Sequence, residues 1–233
     1  INVIDAPGFF DFYGEVTAAM ALADSALIVI SAVSGPVVGA EKAMAMCEKA
    51  HKARMIAINQ LDRENANFEK VMGEINAKFG PSVVPIQLPI IEGGVFKGYV
   101  DVVHMTAKLF DGKGEKEIAM PAAMEKQAQS YYEKLSEAAA DADEELMEKY
   151  LETFELSREE MLKGLSVGVQ TGVVTPVTCV SAAQNIGVAT LLDAIVSYLP
   201  SAALAKAPNA KSVKPGADVV VKQEGKFAAQ VVK

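Results

Sequence analysis

Residues 54–62 read RMIAINQLD. The first six, Arg54–Asn59, form a short apolar run of the kind expected of a strand buried on both faces. Asn59-Gln60-Leu61-Asp62 then places an Asn and an Asp three apart at the strand's carboxyl end. In open parallel sheets, ligand-binding loops lie at such ends. A carboxylate there can accept two hydrogen bonds from guanine N1 and N2, while an Asn amide faces N7 and O6. A site built this way rejects adenine, which presents the opposite donor pattern. The same residues also suit an ordinary turn in which Asn and Asp cap locally.

Working outward, the flanking segments repeat a strand–helix alternation. Ala26–Ala32 (ALIVISA) is a second apolar strand expected to be buried on both faces, and Val174–Ser181 (VTPVTCVS) a third. Helical composition is found in Val16–Ala23, Ala40–Lys52, Asn67–Phe79 and Val188–Leu199, the last ending at Pro200. Ile1–Ile4 is a further short apolar run expected to be a strand, ending at Asp5. Alternation of this kind predicts a parallel sheet with helices on its faces.

Two more strand ends carry suggestive residues. Asp5-Ala6-Pro7-Gly8 offers an Asp able to hold magnesium through a water and a Gly whose N–H can approach a phosphate oxygen. Ser181-Ala182 offers a backbone N–H toward a guanine O6. Each alone also fits a plain strand exit. Together, the three fall in the order that a guanine-nucleotide site requires.

The middle of the chain has a different texture. Pro85–Phe110 has strand character punctuated by Gly93-Gly94 and Gly98, and Asp111–Gly114 (DGKG) is a hairpin-turn signal. Charged helical stretches follow at Ala122–Ala140 and Asp143–Phe154. Ser157-Arg158-Glu159-Glu160 then opens another helix with a capping-box pattern. The expected organisation is a core of residues 1–84 and 171–200 carrying an inserted α+β subdomain at 85–170. A linker at 201–216 and the opening strands of a second, β-barrel domain at 217–233 complete it.

Composition sets bounds. Across 233 residues, 51% are hydrophobic, enough for a sizeable core, and the net charge of −8 argues against a general nucleic-acid-binding face. Cys47 and Cys179 have no metal-ligand spacing and read as buried thiols of a reducing compartment. His51 and His104 are isolated, and no apolar run approaches a membrane span. A cytoplasmic location is the expectation. Met44, Met46 and Met55 read as core filling, and Tyr131 and Tyr132 as anchors of the inserted helices.

The segments DAPGFFDF (5–12) and NQLDRENANF (59–68) resemble the D-T-P-G-H-x-D-F and N-K-x-D-R-x-x-A-x-F motifs of translational GTPases. DADEELMEKYLE (141–152) and CVSAAQNIGVATLLDAIVSYLPS (179–201) resemble the inserted subdomain and last motif of the elongation factor G branch. The resemblance implies a phosphate-loop-NTPase-like sheet lacking its first strand. It also implies a nucleotide site at Asp5, Ala6, Pro7, Gly8 and Phe9, at Asn59, Gln60, Leu61 and Asp62, and at Ser181 and Ala182. Its ligands would be GTP or GDP, with Mg2+ held by Asp5 through a water. The partners implied are the ribosome and its stalk protein. Neither membrane association nor sequence-specific nucleic-acid reading is implied.

In the family a phosphate loop and first switch come before these motifs, and no Gly-Lys-Ser or Gly-Lys-Thr occurs here. The expectation is therefore a fragment of a longer GTPase, itself inactive and prone to rearrange or self-associate where a mid-sheet strand is wanting. Two residues depart from the motifs. Phe9 stands at the family's water-orienting switch His, and Phe cannot hydrogen-bond a water. Gln60 stands at the motif's Lys, keeping part of the stem and none of the charge. The alternatives left open are a GTP-dependent ribosome-binding module with little hydrolysis and a ribosomal-protection protein.

Overall fold

The computed structural model describes residues 1–204, 210–211 and 218–219. It divides into two compact units, Ser25–Leu199 and a second made of Ile1–Asp24 with Pro200–Lys233.

The larger unit is built on a four-stranded parallel sheet ordered β1-β2-β8-β3. Its strands are β1 (Ser25–Ser31), β2 (Ala53–Asn59), β3 (Val83–Pro85) and β8 (Thr175–Cys179). Six of the seven β2 residues and all of β8 are buried, so both sheet faces are covered there. The covering helices are α2 (Val38–Lys49) against β1 and α6 (Arg158–Thr171) against β2 and β8. With them, α3 (Phe68–Phe79) and α4 (Ala122–Ala140) pack on β3. Helix α3 shows how local sequence builds the cover. Its Asn67 side chain caps the start by accepting the Lys70 N–H at 2.9 Å, an interaction worth about 1 kcal/mol. Phe68, Val71, Met72 and Ile75 then fall on one buried stripe.

A second, antiparallel sheet is inserted between β3 and α4, ordered β4-β5-β6-β7. Its strands are Gln87–Glu92, Val95–Asp101, Thr106–Phe110 and Glu115–Ile118. The Asp111–Gly114 turn joins the last two, with the Asp111 carboxylate accepting the Lys113 and Gly114 N–H groups. Helix α5 (Glu144–Thr153) starts at an Asp143 cap, and α6 opens with both halves of the Ser157/Glu160 capping box. Helix α7 (Val188–Tyr198) follows β8.

Two expectations change. The run at 26–32 buries only one face: Ile28 and Ile30 are inside, while Leu27 and Val29 are 38% and 56% exposed. β1 is an edge strand, paired with β2 alone among the described strands, and Leu27 and Val29 lie on its more exposed face. Ile1–Ile4 forms no strand. A strand exists only with a hydrogen-bonding neighbour, and no described strand pairs with this run. The hairpin signalled at Asp111–Gly114 is present, with the highly charged Glu115–Ile118 pairing as β7 although its own composition carries little strand signal.

In the smaller unit, a 3-10 turn (Phe10–Phe12) leads into α1 (Tyr13–Leu22), which has no buried residue. The rings of Phe10 and Tyr13 stack with centroids 6.1 Å apart. Ala210–Lys211 pairs antiparallel with Asp218–Val219. The remainder of 205–233, including most of the expected linker and barrel strands, lies outside the described residues.

Candidate nucleotide site

The parallel register sets up the site. Ser31 at the end of β1 lies beside Asn59 at the end of β2, and Ile58 lies beside Cys179 of β8. The Ala32 N–H continues the ladder to the Asn59 carbonyl at 2.8 Å, and the Val180 N–H to that of Ile58 at 2.9 Å. The loops leaving β2 and β8 therefore emerge side by side.

Asp62 and Ser181 meet across them. The Ser181 hydroxyl donates to Asp62 Oδ1 at 2.6 Å and accepts the Gln184 N–H at 3.2 Å. Ser181 is fully buried, so its hydroxyl is shielded from solvent with these two partners. The Asn59 side-chain carbonyl accepts two backbone donors, Gln60 N–H at 2.7 Å and Ala182 N–H at 3.0 Å. With Oδ1 occupied twice, the amide NH2 is the group Asn59 has left to offer a ligand. One loop thus aims both the Asn amide and the Asp carboxylate.

That loop, 181–187, is itself closed. Ser181 and Ile186 exchange both backbone hydrogen bonds, at 2.9 and 3.0 Å. Gly187 ends it at φ +76°, and a Cβ there would stand 2.4 Å from the Cys179 carbonyl oxygen. Only glycine fits both the backbone angle and the approach.

The other residues of the β2 loop take different parts. Leu61 is 2% exposed and anchors the loop in the core. Gln60 has a left-handed backbone, φ +67°, and its side-chain carbonyl accepts the Ser31 hydroxyl at 2.6 Å. A Lys could not accept that bond, so Ser31 and Gln60 suit each other. Asp5, Pro7, Gly8 and Phe9 lie in the smaller unit, exposed and outside any helix or strand, with Ala6 partly exposed; Phe9 is 78% exposed.

Residues 1–201 match the family model described as the elongation factor Tu GTP-binding domain. The chain belongs to that family. It is a GTP-binding domain of the elongation factor Tu type. A crystal structure of a Thermus thermophilus protein is similar to it, with 36% identity and a TM-score of 0.78 over 84% of this chain. The chain spans 30% of that protein's length.

The GTP-binding domain's residues suit a guanine base: a carboxylate acceptor, an amide donor, and a buried serine fixing the carboxylate. For magnesium, the described residues contain no group of three or more His, Cys, Asp or Glu able to hold an ion. No described helix of this GTPase domain is long and apolar enough to cross a membrane.

Sequence reasoning missed Ser31, whose only signal was its place at the end of an apolar strand. It also missed the contacts that Gln87, Tyr99, Glu115 and Thr190 make around the 181–187 loop.

Proposed function

We propose that the chain is the guanine-nucleotide-binding part of a ribosome-associated, elongation factor G-like protein that binds and hydrolyses GTP. The observation that carries this reading is the Ser181–Asp62 hydrogen bond, because a serine that fixes a carboxylate beside an oriented Asn amide builds a guanine-selective acceptor. In the proposed site, Asp62 accepts from N1 and N2 and Asn59 donates toward N7 or O6. The loop of Ser181 and Ala182 borders the base carbonyl. Gly8 would offer its N–H to the terminal phosphate, and Asp5 would hold a water of a magnesium ion, which would supply charge neutralisation at the phosphates. GTP would hold the Asp5–Phe12 segment in its ribosome-engaged form and hydrolysis would release it.

Phe9 favours a second reading. An aromatic side chain cannot orient the attacking water, so GTP-dependent ribosome association with slow hydrolysis also fits. Multiple-turnover GTP hydrolysis by the full-length protein with ribosomes separates the two. Turnover that vanishes in Asp5→Ala supports the enzyme. GTP-dependent ribosome co-sedimentation without turnover supports the binding module.

A further inference from the structure

We infer that the inserted antiparallel sheet clamps the 181–187 loop at both ends, making Gln87, Tyr99, Glu115 and Thr190 positioning residues for base recognition. The inference rests on the guanine reading of Asn59, Asp62 and Ser181.

The first jaw is Gln87. The β3–β8 ladder covers only Val83–Pro85 against Thr175–Val177, and the Ile86 N–H adds one more bond to Val177. The chain then leaves the parallel sheet to begin β4, and the Cys179 amide loses its backbone acceptor on that side. Gln87, 2% exposed, replaces it with its side chain: Oε1 accepts the Cys179 N–H at 3.1 Å. The Gln87 carbonyl also accepts the Cys179 thiol at 3.2 Å. Cys179 lies two residues before Ser181, so this contact fixes where the loop begins.

The second jaw is a carboxylate. Tyr99 of β5, 1% exposed, donates its hydroxyl to Glu115 Oε2 at 2.5 Å. The Thr190 hydroxyl donates to the same oxygen at 2.8 Å and also meets the Tyr99 hydroxyl. Lys108 Nζ lies 3.9 Å from it. Thr190 sits in the first turn of α7, three residues after Gly187. Helix α7 has neither a side-chain cap nor an acidic residue of its own in that turn. Glu115 thus supplies, from a hairpin 75 residues away in sequence, the negative charge that a helix start favours.

Between the jaws lies a short closed loop carrying Ser181, which aims Asp62, and Ala182, which aims Asn59. Loosening either jaw transmits to both base-reading side chains. Gln87 and Thr190 also line one cleft of about 400 Å³ beside α7, so the two jaws share a wall.

Amide hydrogen exchange on the full-length protein tests the clamp without relying on nucleotide. The Ser181 and Ile186 amides report the loop, and amides of β1 and α2 report the rest of the fold. In Tyr99→Phe and Glu115→Ala, exchange at Ser181 and Ile186 should rise about tenfold or more while the β1 and α2 amides stay unchanged. Glu115→Gln, which keeps an acceptor, should restore part of the protection. Exchange that is unchanged at the loop, or raised equally everywhere, overturns the clamp. A second readout is the preference for GDP over inosine diphosphate, which lacks the N2 amine that Asp62 would accept. That preference should fall in the clamp variants, and an unchanged preference contradicts a positioning role. If GDP protects the loop amides in wild type while the variants behave like it, the clamp falls and the guanine reading stands. If the variants loosen the loop but GDP gives wild type no protection, the guanine reading falls.

Discussion

Ser181 and Asp62, 119 positions apart in sequence, are joined by a 2.6 Å hydrogen bond at the carboxyl ends of adjacent parallel strands. The hydroxyl donates and the carboxylate accepts. One Asp62 oxygen is therefore held by the protein, and the carboxylate plane is set before any base arrives. Preorganisation of this kind turns a flexible acceptor into a selective one.

Replacing the hydroxyl tests its worth. Ser181→Ala leaves Asp62 free to rotate and removes a hydrogen bond to a charged group, worth about 1.5–3 kcal/mol. Guanine-nucleotide affinity of the full-length protein should fall roughly tenfold to a hundredfold. The loss should appear chiefly as faster dissociation of a fluorescent GDP analogue in stopped flow.

Phe9 occupies the place where the family's motif has a histidine. Phe9→His restores a water-orienting group, and single-turnover hydrolysis of GTP should accelerate by about two orders of magnitude. Nucleotide affinity should change little, because the side chain is not placed on base or phosphate. An unchanged rate would mean that another group positions the water.

Gly187 tolerates no side chain. Gly187→Ala forces a Cβ into the Cys179 carbonyl while imposing a left-handed backbone on alanine. The cost should be about 2 kcal/mol or more, read as a lower urea midpoint. Gly187→Asn eases the positive φ but drives the same Cβ into the Cys179 carbonyl, so it should lower the midpoint as well.

Acid should loosen the inserted helices in a defined window. The Lys149 ammonium, followed by the Ser157 hydroxyl and N–H, holds the Glu160 carboxyl down at about 2 from an ordinary 4.5. A depressed folded value means that its contribution is complete above about 4.5 and disappears as pH falls toward about 2. Lys149→Met should lower stability more at pH 6 than at pH 3, flattening the pH dependence in that window. Urea titrations of both proteins at pH 6 and pH 3 provide the comparison.

Both thiols should be silent in the folded protein. Cys47 and Cys179 are fully buried, and burial pushes the Cys47 thiol up to about 11 and that of Cys179 well above its usual range. A thiol-reactive chromophore at pH 8 should label neither until urea unfolds the chain. Rapid labelling of Cys179 in native buffer would contradict the packing of Gln87 against it.

Much of this architecture is written locally. Apolar runs with helical segments between them predicted β1, β2 and β8, and helix α4 spans the predicted Ala122–Ala140. The Ser157/Glu160 box sits where its spacing placed it. The polar signals at Asn59, Asp62 and Ser181 were legible because strand ends announce themselves by a change from apolar to polar residues. Other features leave no such trace. β7 is a charged segment held by pairing with β6: Glu117 faces Lys108 and Glu115 faces Phe110, and neither fact is visible in EKEI alone. β3 ends in a proline, which hides a short parallel strand. Tyr99, Glu115 and Thr190 converge from three separate elements, and side-chain contacts at such separations have no local signature. Ile1–Ile4 shows the opposite failure, since strand-like composition does not make a strand without a partner.

The central claim is that Asp62 reads the N1 and N2 face of guanine. Asp62→Asn replaces an acceptor with a donor, which suits xanthine, whose C2 carries an oxygen where guanine has an amine. Binding of GDP and xanthosine diphosphate to the full-length protein and its Asp62→Asn variant is the most direct measurement. The account predicts that the variant loses GDP affinity by about a hundredfold or more and gains affinity for the xanthine nucleotide. A variant that binds GDP as wild type does, with no gain for xanthosine diphosphate, would contradict it.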